Sequence, residues 1–318
     1  MKTDILNGVA LLLALVLGAV GAVWQGGGGL EIVDVVAIQK EFPPDLDELT
    51  DARGVVVPTA DYQRIVSLNT VADHLLLGLV EPERLLGITA YTLEGHADAW
   101  RFGGRQGVGR SEDLEHVLSL QPDLVVTSEF SDEAYMARLR EQGIQVFDLG
   151  NMRGVDSTIG DVLALGALLK QQGRAQRIVD SFRRELSALE GQWPSSTPPS
   201  GLYLSVLGDS IFGGTVGTNY ADVLYYGGVK DLAAEHGFKD WPRYNPEQLL
   251  KMNPPIIITP KGTGDVICGH SVLGLMKACS SSGHILEMSG DFQSDPGLGL
   301  VESAAEVQAL LKSALSGP

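Results

Sequence analysis

From Arg64 onward the chain alternates short, mostly apolar runs with longer stretches whose apolar positions recur every three or four residues. Ile65–Leu68, Leu85–Thr89, Leu124–Thr127 and Gln145–Leu149 read as strands, with Val71–Leu79, Asp113–Leu120 and Tyr135–Gln142 as the helices between them. Strands apolar on both faces and separated by helices predict a parallel sheet covered on both sides. The alternation stops between about Val155 and Trp193. There Ile159, Val162, Leu163, Ile178, Val179, Phe182, Leu186 and Leu189 keep a helical spacing. At about 1.5 Å per residue such a helix spans a domain, and Gly173 is the place where it would kink or divide. Pro194–Gly201 ends the stretch, and the alternation resumes with Leu202–Leu207 as a strand, Tyr220–Tyr226 and Pro246–Met252 as helices, and Ile256–Thr259 as a strand.

The pattern Glu-x-x-Leu-x-(Leu/Met)-x-Pro-x-(Leu/Ile)-(Val/Ile)-(Val/Ile)-Thr occurs at Glu115–Thr127 and again, 132 residues later, at Glu247–Thr259. Each copy covers a helix, the proline that ends it and the following strand. The repeat predicts two Rossmann-like α/β lobes, residues 61–152 and 196–318, joined by one long α-helix within 153–195. Residues 26–60, with Pro43-Pro44 and the acidic run Asp45–Asp51, read as an extension ending in a short strand.

Residues 1–25 carry an apolar run, Ile5–Trp24, interrupted by one strongly polar residue, Asn7. A cleavable signal needs a shorter run ending in small residues, which Val20-Gly21-Ala22 supplies; an anchor needs about 20 apolar residues. The run meets both conditions, so it is an export signal or a membrane anchor, and no cysteine follows it to carry a lipid. Forty acidic residues against 23 basic ones give a net charge of −17, which repels nucleic acid and anionic membrane surfaces. The two cysteines, Cys268 and Cys279, favour a disulfide in an exported chain, with a Cys-x-His and Cys-x-x-x-x-His zinc cluster through His270 and His284 as the alternative.

Arg64-Ile-Val-Ser-Leu-Asn-Thr, Leu86-Gly-Ile-Thr and Asp113 to Thr127, followed in the second half by Tyr226-Gly-Gly-Val, Trp241 and Tyr244 to Ile258, resemble the helical-backbone substrate-binding proteins of ABC importers. The resemblance covers roughly residues 61–312 and implies two α/β lobes joined by one long α-helix, with the ligand in a cleft between the lobes. It implies a monomeric, non-enzymatic, extracytoplasmic carrier of ferric siderophores, haem or cobalamin, with no cofactor of its own, that delivers its ligand to a permease and its ATPase. It also implies that Glu115 and Glu247, one early in the matching helix of each lobe, dock against permease arginines. A glutamate there also suits the positive end of a helix dipole. The chain departs from the family at Asn69-Thr70-Val71-Ala72-Asp73, at Pro254-Pro255 and over Cys268–Ser282. The alternative function is a membrane-anchored ligand-sensing receptor domain of the same fold.

Ligands of open α/β sheets bind beyond the carboxyl ends of the strands. That rule selects Asn69, Thr70, Tyr91, Glu129, Phe130, Asp209 and Lys261, and the longer loops add Trp100, Arg101, Trp241, Arg243 and Tyr244. Aromatics beside cations suit an anionic, partly apolar metal chelate. Tyr91 and His96 are candidate axial haem ligands. Enzyme signatures fail: Gly208-Asp209-Ser210 has no later Asp-x-x-His, and Gly103, Gly104, Gly107 and Gly109 do not form Gly-x-Gly-x-x-Gly.

Overall fold

The computed structural model describes residues 46–94, 99–109, 114–129, 131–151, 153–289 and 297–316. The Ile5–Trp24 run, most of the 26–60 extension, His96, Asp113 and Phe130 lie outside the described residues.

The extension ends in two strands rather than one. β1 (Glu48–Thr50) and β2 (Val56–Pro58) pair antiparallel, Leu49 opposite Val57, and those two side chains are buried. The first lobe follows: β3 (Ile65–Ser67), α1 (Thr70–Leu79), β4 (Leu85–Thr89), α2 (Ala90–Leu93), β5 (Gln106–Val108), α3 (Leu114–Ser119), β6 (Leu124–Thr127), α4 (Glu133–Glu141) and β7 (Gln145–Asp148). Its five strands are all parallel, in the order β5-β4-β3-β6-β7. The central β3 and β6 are buried at every residue, as strands covered on both faces require.

The connection is a helical hairpin. α5 (Val155–Leu168) and α6 (Gln172–Glu190) divide at Lys170, which takes a left-handed φ of 55°, shortly before Gly173. A Cβ at Gly166 would lie 2.3 Å from the Ala175 Cβ, so glycine sets how closely the two helices approach. α5 is buried along nearly its whole length, whereas α6 buries only the stripe Ala175, Val179, Phe182, Leu186. α6 is the member that bridges the lobes. At its start Arg174 donates to the Leu79 carbonyl of the first lobe at 3.0 Å. At its end the Leu189 carbonyl accepts from Gln308 at 2.7 Å and Glu190 accepts from Tyr225 at 2.8 Å, both in the second lobe.

The second lobe comprises β8 (Ser200–Leu207), β9 (Ser210–Gly214), α7 (Asn219–Tyr226), β10 (Lys230–Asp231), α8 (Leu232–Glu235), β11 (Arg243–Tyr244), α9 (Pro246–Met252), β12 (Ile256–Pro260), α10 (Gly264–Gly269), β13 (His284–Met288) and α11 (Leu300–Ser316). Its sheet runs β11-β9-β8-β12-β13, with β10 also paired to β8. β8, β12 and β13 are parallel, but β9 is antiparallel to both β8 and β11, so this sheet is mixed. The reversal follows from Gly208-Asp209, a two-residue turn whose glycine has φ 57°.

The repeated pattern occupies equivalent places. α3 leads to β6 and α9 to β12, and each of those strands pairs parallel with the first strand of its lobe. The residue before the shared proline has a left-handed φ in both copies, 49° at Gln121 and 46° at Asn253, where the helix stops. A contiguous apolar core runs from Leu49 and Ile65 through Leu165 and Phe182 to Tyr203, Val223 and Val307, so the two lobes and the hairpin share one interior.

One polar contact crosses this interior at the start of the connection. Gly154, the α5 cap, has φ 113° and provides no side-chain cap; instead the Val155 N–H donates to Asp222 on α7 at 2.7 Å. Burial pushes the Asp222 carboxyl above its ordinary range. Replacing Asp222 with alanine is expected to cost about 1–3 kcal/mol of unfolding free energy, measured by urea denaturation, and Asp222→Asn, which keeps an acceptor oxygen, less than half as much. Equal losses in the two variants would assign the effect to volume rather than to the bond.

Candidate functional site

Exposed apolar groups stand in both lobes: Tyr91 just after β4 and Leu207 at the end of β8 lie at strand carboxyl ends, Trp100 on the turn leading into β5, and Trp241 ahead of β11. Tyr91 is 44% exposed, Trp100 79%, Leu207 76% and Trp241 54%. Each sits on a buried support. Trp100 and Arg101 belong to a 3-10 turn, Ala99–Phe102, whose last residue is fully buried edge-on against His74 at 5.0 Å, leaving the two preceding side chains outside. Trp241 stands edge-on to Tyr220 at 5.3 Å, and Tyr220 stacks on Tyr203 at 3.8 Å. Leu207 precedes the turn in which Asp209 is exposed.

Tyr91 is held by a group that the sequence reading overlooked. Asp73, fully buried on α1, accepts from Thr89 Oγ1 at 2.6 Å, from the Thr89 N–H at 3.2 Å and from Thr92 Oγ1 at 2.7 Å. The bonded residues flank Tyr91 at the end of β4, so one carboxyl fixes the turn that presents the ring. The available signal was an acid inside the apolar run Val71–Leu77. Burial pushes Asp73 up to about 6, and the hydroxyls of Ser67, Thr89 and Thr92 hold it back from rising further.

The remaining predicted residues divide. Arg243 is exposed, donates to Ser210 Oγ and lies over the Phe212 ring at 5.6 Å, which places a cation at the β8–β9 edge. Lys261 is exposed just after β12, and Thr70 is half-buried at the start of α1. Two placements correct the expectation. Asn69 is buried as the α1 N-cap, accepting from the Ala72 N–H at 3.0 Å and donating to Ser128 Oγ at 2.9 Å, so its side chain serves the helix start. Tyr244 is buried in the second-lobe core, edge-on to Phe238 at 5.0 Å and packed over Gly213, because alternation along β11 turns it inward where Arg243 turns outward.

Glu115 and Glu247 are both exposed in the first turns of their helices. α3 follows β5, and α9 follows β11, which runs with β8; both helices therefore start at the carboxyl edges of their sheets. Cys268 and Cys279 form a disulfide with Cα atoms 5.5 Å apart, and His270 Nδ1 accepts from the Val272 and Leu273 amides, which removes the zinc alternative. No group of three or more His, Cys, Asp or Glu fit to hold a metal exists among the described residues. A hollow of about 410 Å³ lies at the opposite end of the first sheet, beside Arg64, Leu86, Arg105 and Leu120. Its arginines are engaged with the carbonyls of Gln121, Leu120, Pro82 and Gly103, which makes it a packing feature of the helix ends.

Two α/β lobes, a bridging helix and rigidly supported aromatics at the strand ends define a two-lobed ligand-binding protein. The chain belongs to the periplasmic binding protein family, which it matches over residues 65–304. It is 22% identical to a cobalamin-binding protein of Halobacterium salinarum over 62% of this chain, which spans about half (53%) of that relative's length. Its fold is similar to that of a possible iron-binding, periplasmic solute-binding protein from Staphylococcus epidermidis (TM-score 0.68, 18% identity, 79% of this chain and 99% of that one). It is also similar to the periplasmic heme-binding protein RhuT from Roseiflexus sp. RS-1 (TM-score 0.64, 19% identity, 78% and 98%). By this membership the chain carries the fold of a family of binding proteins. No helix among the described residues is long and apolar enough to cross a membrane.

The Asp73 carboxyl generates a prediction. Its ordinary value of 3.8 is raised to about 6 in the fold, so the folded chain holds this proton more tightly than the unfolded chain. Its contribution to stability is therefore greatest below about pH 4 and falls by roughly 3 kcal/mol as pH rises to about 6. The difference in unfolding free energy between wild type and Asp73→Asn, followed by denaturant titration across that window, is expected to shrink in the same sense. A pH-independent difference would show that folding leaves the Asp73 pKa unshifted.

Proposed function

We propose that the protein captures a metal chelate of the ferric siderophore, cobalamin or haem type between its lobes, outside the cytoplasm, and delivers it to an ABC permease driven by its ATPase. The observation that carries this reading is the set of exposed side chains Tyr91 after β4, Leu207 at the end of β8 and Trp241 ahead of β11, with the exposed cations Arg243 on β11 and Lys261 after β12. Flat apolar surface covers a macrocycle or a catechol-like chelate, while guanidinium and ammonium groups pair with its carboxylates. The named ligands of the similar proteins, cobalamin, heme and iron, support the same chemical class. Iron or cobalt then travels as cargo inside the chelate, and the protein needs no metal site of its own.

Delivery rests on Glu115 and Glu247. One exposed carboxylate on the carboxyl-edge side of each lobe offers a two-point electrostatic register to a partner with two equivalent arginines. The shared apolar core and the Asp222–Val155 bond favour limited closure, by bending of the helical hairpin instead of swinging about strands.

Protein isolated from its native source is expected to carry a haem, corrin or ferric-chelate absorbance with a matching mass. Tyr91→Ala or Trp241→Ala should weaken that ligand about tenfold or more. The double change Glu115→Arg and Glu247→Arg is expected to abolish uptake while leaving ligand affinity unchanged. Intact uptake would sink the docking role, and protein that takes up neither haemin, cyanocobalamin nor a ferric siderophore would sink the ligand class.

A further inference from the structure

The tip of the β1–β2 hairpin is pressed against the carboxyl edge of the first lobe. A Cβ added at Gly150 would lie 2.7 Å from the Ala52 Cβ, so tip and β7 end approach as closely as glycine permits. The Ala52 N–H donates to the Asp148 carbonyl at 3.0 Å, and the buried Asp51 accepts from the Arg53 and Val55 amides at 2.9 and 2.8 Å. From this tip, Arg53 Nε donates to the buried Asp148 carboxylate at 2.6 Å and Nη1 to Glu133 at 2.9 Å. Its Nη2 donates to the carbonyls of Glu129 and Ser131 at 3.3 and 3.0 Å. One planar cation therefore ties β7, the first turn of α4 and the chain leaving β6.

That chain leaves β6 at the edge where the ligand is proposed to bind. The Glu129 N–H donates to the Gly150 carbonyl at 3.3 Å. With its amide turned so that the nitrogen faces the Glu129 carboxylate, Asn151 donates to that carboxylate and its oxygen accepts from Arg153 Nε and Nη2 at 3.1 and 2.7 Å. Glu129, Asn151 and Arg153 thus form a polar strip along the first-lobe rim, and its backbone is fixed from behind by Arg53. A guanidinium suits the task because its rigid fork sets a carboxylate and two carbonyls in one arrangement, whereas an ammonium group is a single point charge.

We propose that Arg53 is a positioning residue for the ligand site: its guanidinium fixes the backbone at Glu129 and Ser131, and with it the Glu129–Asn151–Arg153 strip, in the geometry the ligand requires. This inference rests on the ligand-binding reading above. The purified full chain carrying Arg53→Ala, Arg53→Lys or the control Leu49→Ala is titrated with haemin and with cyanocobalamin by absorbance, well below each variant's unfolding midpoint. Amide hydrogen exchange is measured in parallel over the segment following β6. Leu49→Ala loosens the same hairpin through its apolar face and leaves the guanidinium in place. Arg53→Ala is expected to bind the ligand about tenfold more weakly, with faster exchange after β6. Arg53→Lys should fall between, and Leu49→Ala should unfold more easily yet bind as wild type. Wild-type affinity in Arg53→Ala, or an equal loss in Leu49→Ala, would overturn the proposal. Should wild type take up neither probe, haem and cobalamin are ruled out as its ligand and the siderophore part of the ligand reading still stands; exchange then decides the role of Arg53, with unchanged exchange in Arg53→Ala overturning it and faster exchange supporting it.

Discussion

Asp222 reaches from the second lobe to the first N–H of the helix that leaves the first lobe, and the architecture turns on that contact. A helix start leaves amide protons without intrahelical partners. Here the preceding residue is Gly154, which has no side chain to serve as a cap, and its φ of 113° is one that side-chain-bearing residues rarely adopt. A Cβ there would fall 2.0 Å from the Asp222 carboxylate. Glycine and aspartate are therefore a matched pair: the first makes room, the second supplies the acceptor. The bond fixes where α7 sits relative to the end of the first lobe, and the core continuous through α5 and α6 keeps it there.

Within that frame, groups at the strand ends are placed by what lies beneath them. Exposed tryptophan in water is held only if something else pays the cost of ordering it. Phe102 on His74 does this for Trp100, and Tyr220 on Tyr203 does it for Trp241. The polar supports work similarly. Asp73 grips both sides of Tyr91, and Asp148 holds the guanidinium that braces Glu129 and Ser131. Both carboxylates are fully buried, so removing their partners would leave an uncompensated polar group, a larger penalty than the loss of a surface contact.

Local patterns in the chain were enough to read four of the five strands of the first lobe, its three longer helices and the repeat, and the helical character of the connection, which the structure divides into two helices. The repeat was legible because its causes are local: a left-handed residue and a proline end a helix, and an apolar run follows. What escaped depended on distant partners. β5, β9 and β13 went unread, since their strand character rests on the hydrogen bonds that β4, β8 and β12 supply. The division of the connection fell at Lys170 and not at Gly173, since the turn is set by the close packing of Gly166 on Ala175. Asn69 and Tyr244 were chosen for lying near strand ends. Position along the chain says where a residue is but not which way it faces, and the cap on α1 and the alternation along β11 turned both inward. Asp73 and Arg53 carried no motif, because their roles are defined by residues 16 and 95 positions away.

The two lobes match where they share a helix–proline–strand unit and differ where the aromatics stand. Trp100 comes from a 3-10 turn between β4 and β5, whereas Trp241 comes from the segment ahead of the edge strand β11. Glu115 and Glu247, by contrast, occupy the same position of the repeat and open helices on the same side of their sheets. A partner approaching the rim would meet a nearly two-fold pattern of charge, while a ligand between the lobes would meet two unlike walls. Duplication of one unit supplies the first kind of surface without further change. The second requires loops that differ between the lobes, each with its own buried support, so the residues proposed to face the ligand lie outside the repeat that reveals the fold.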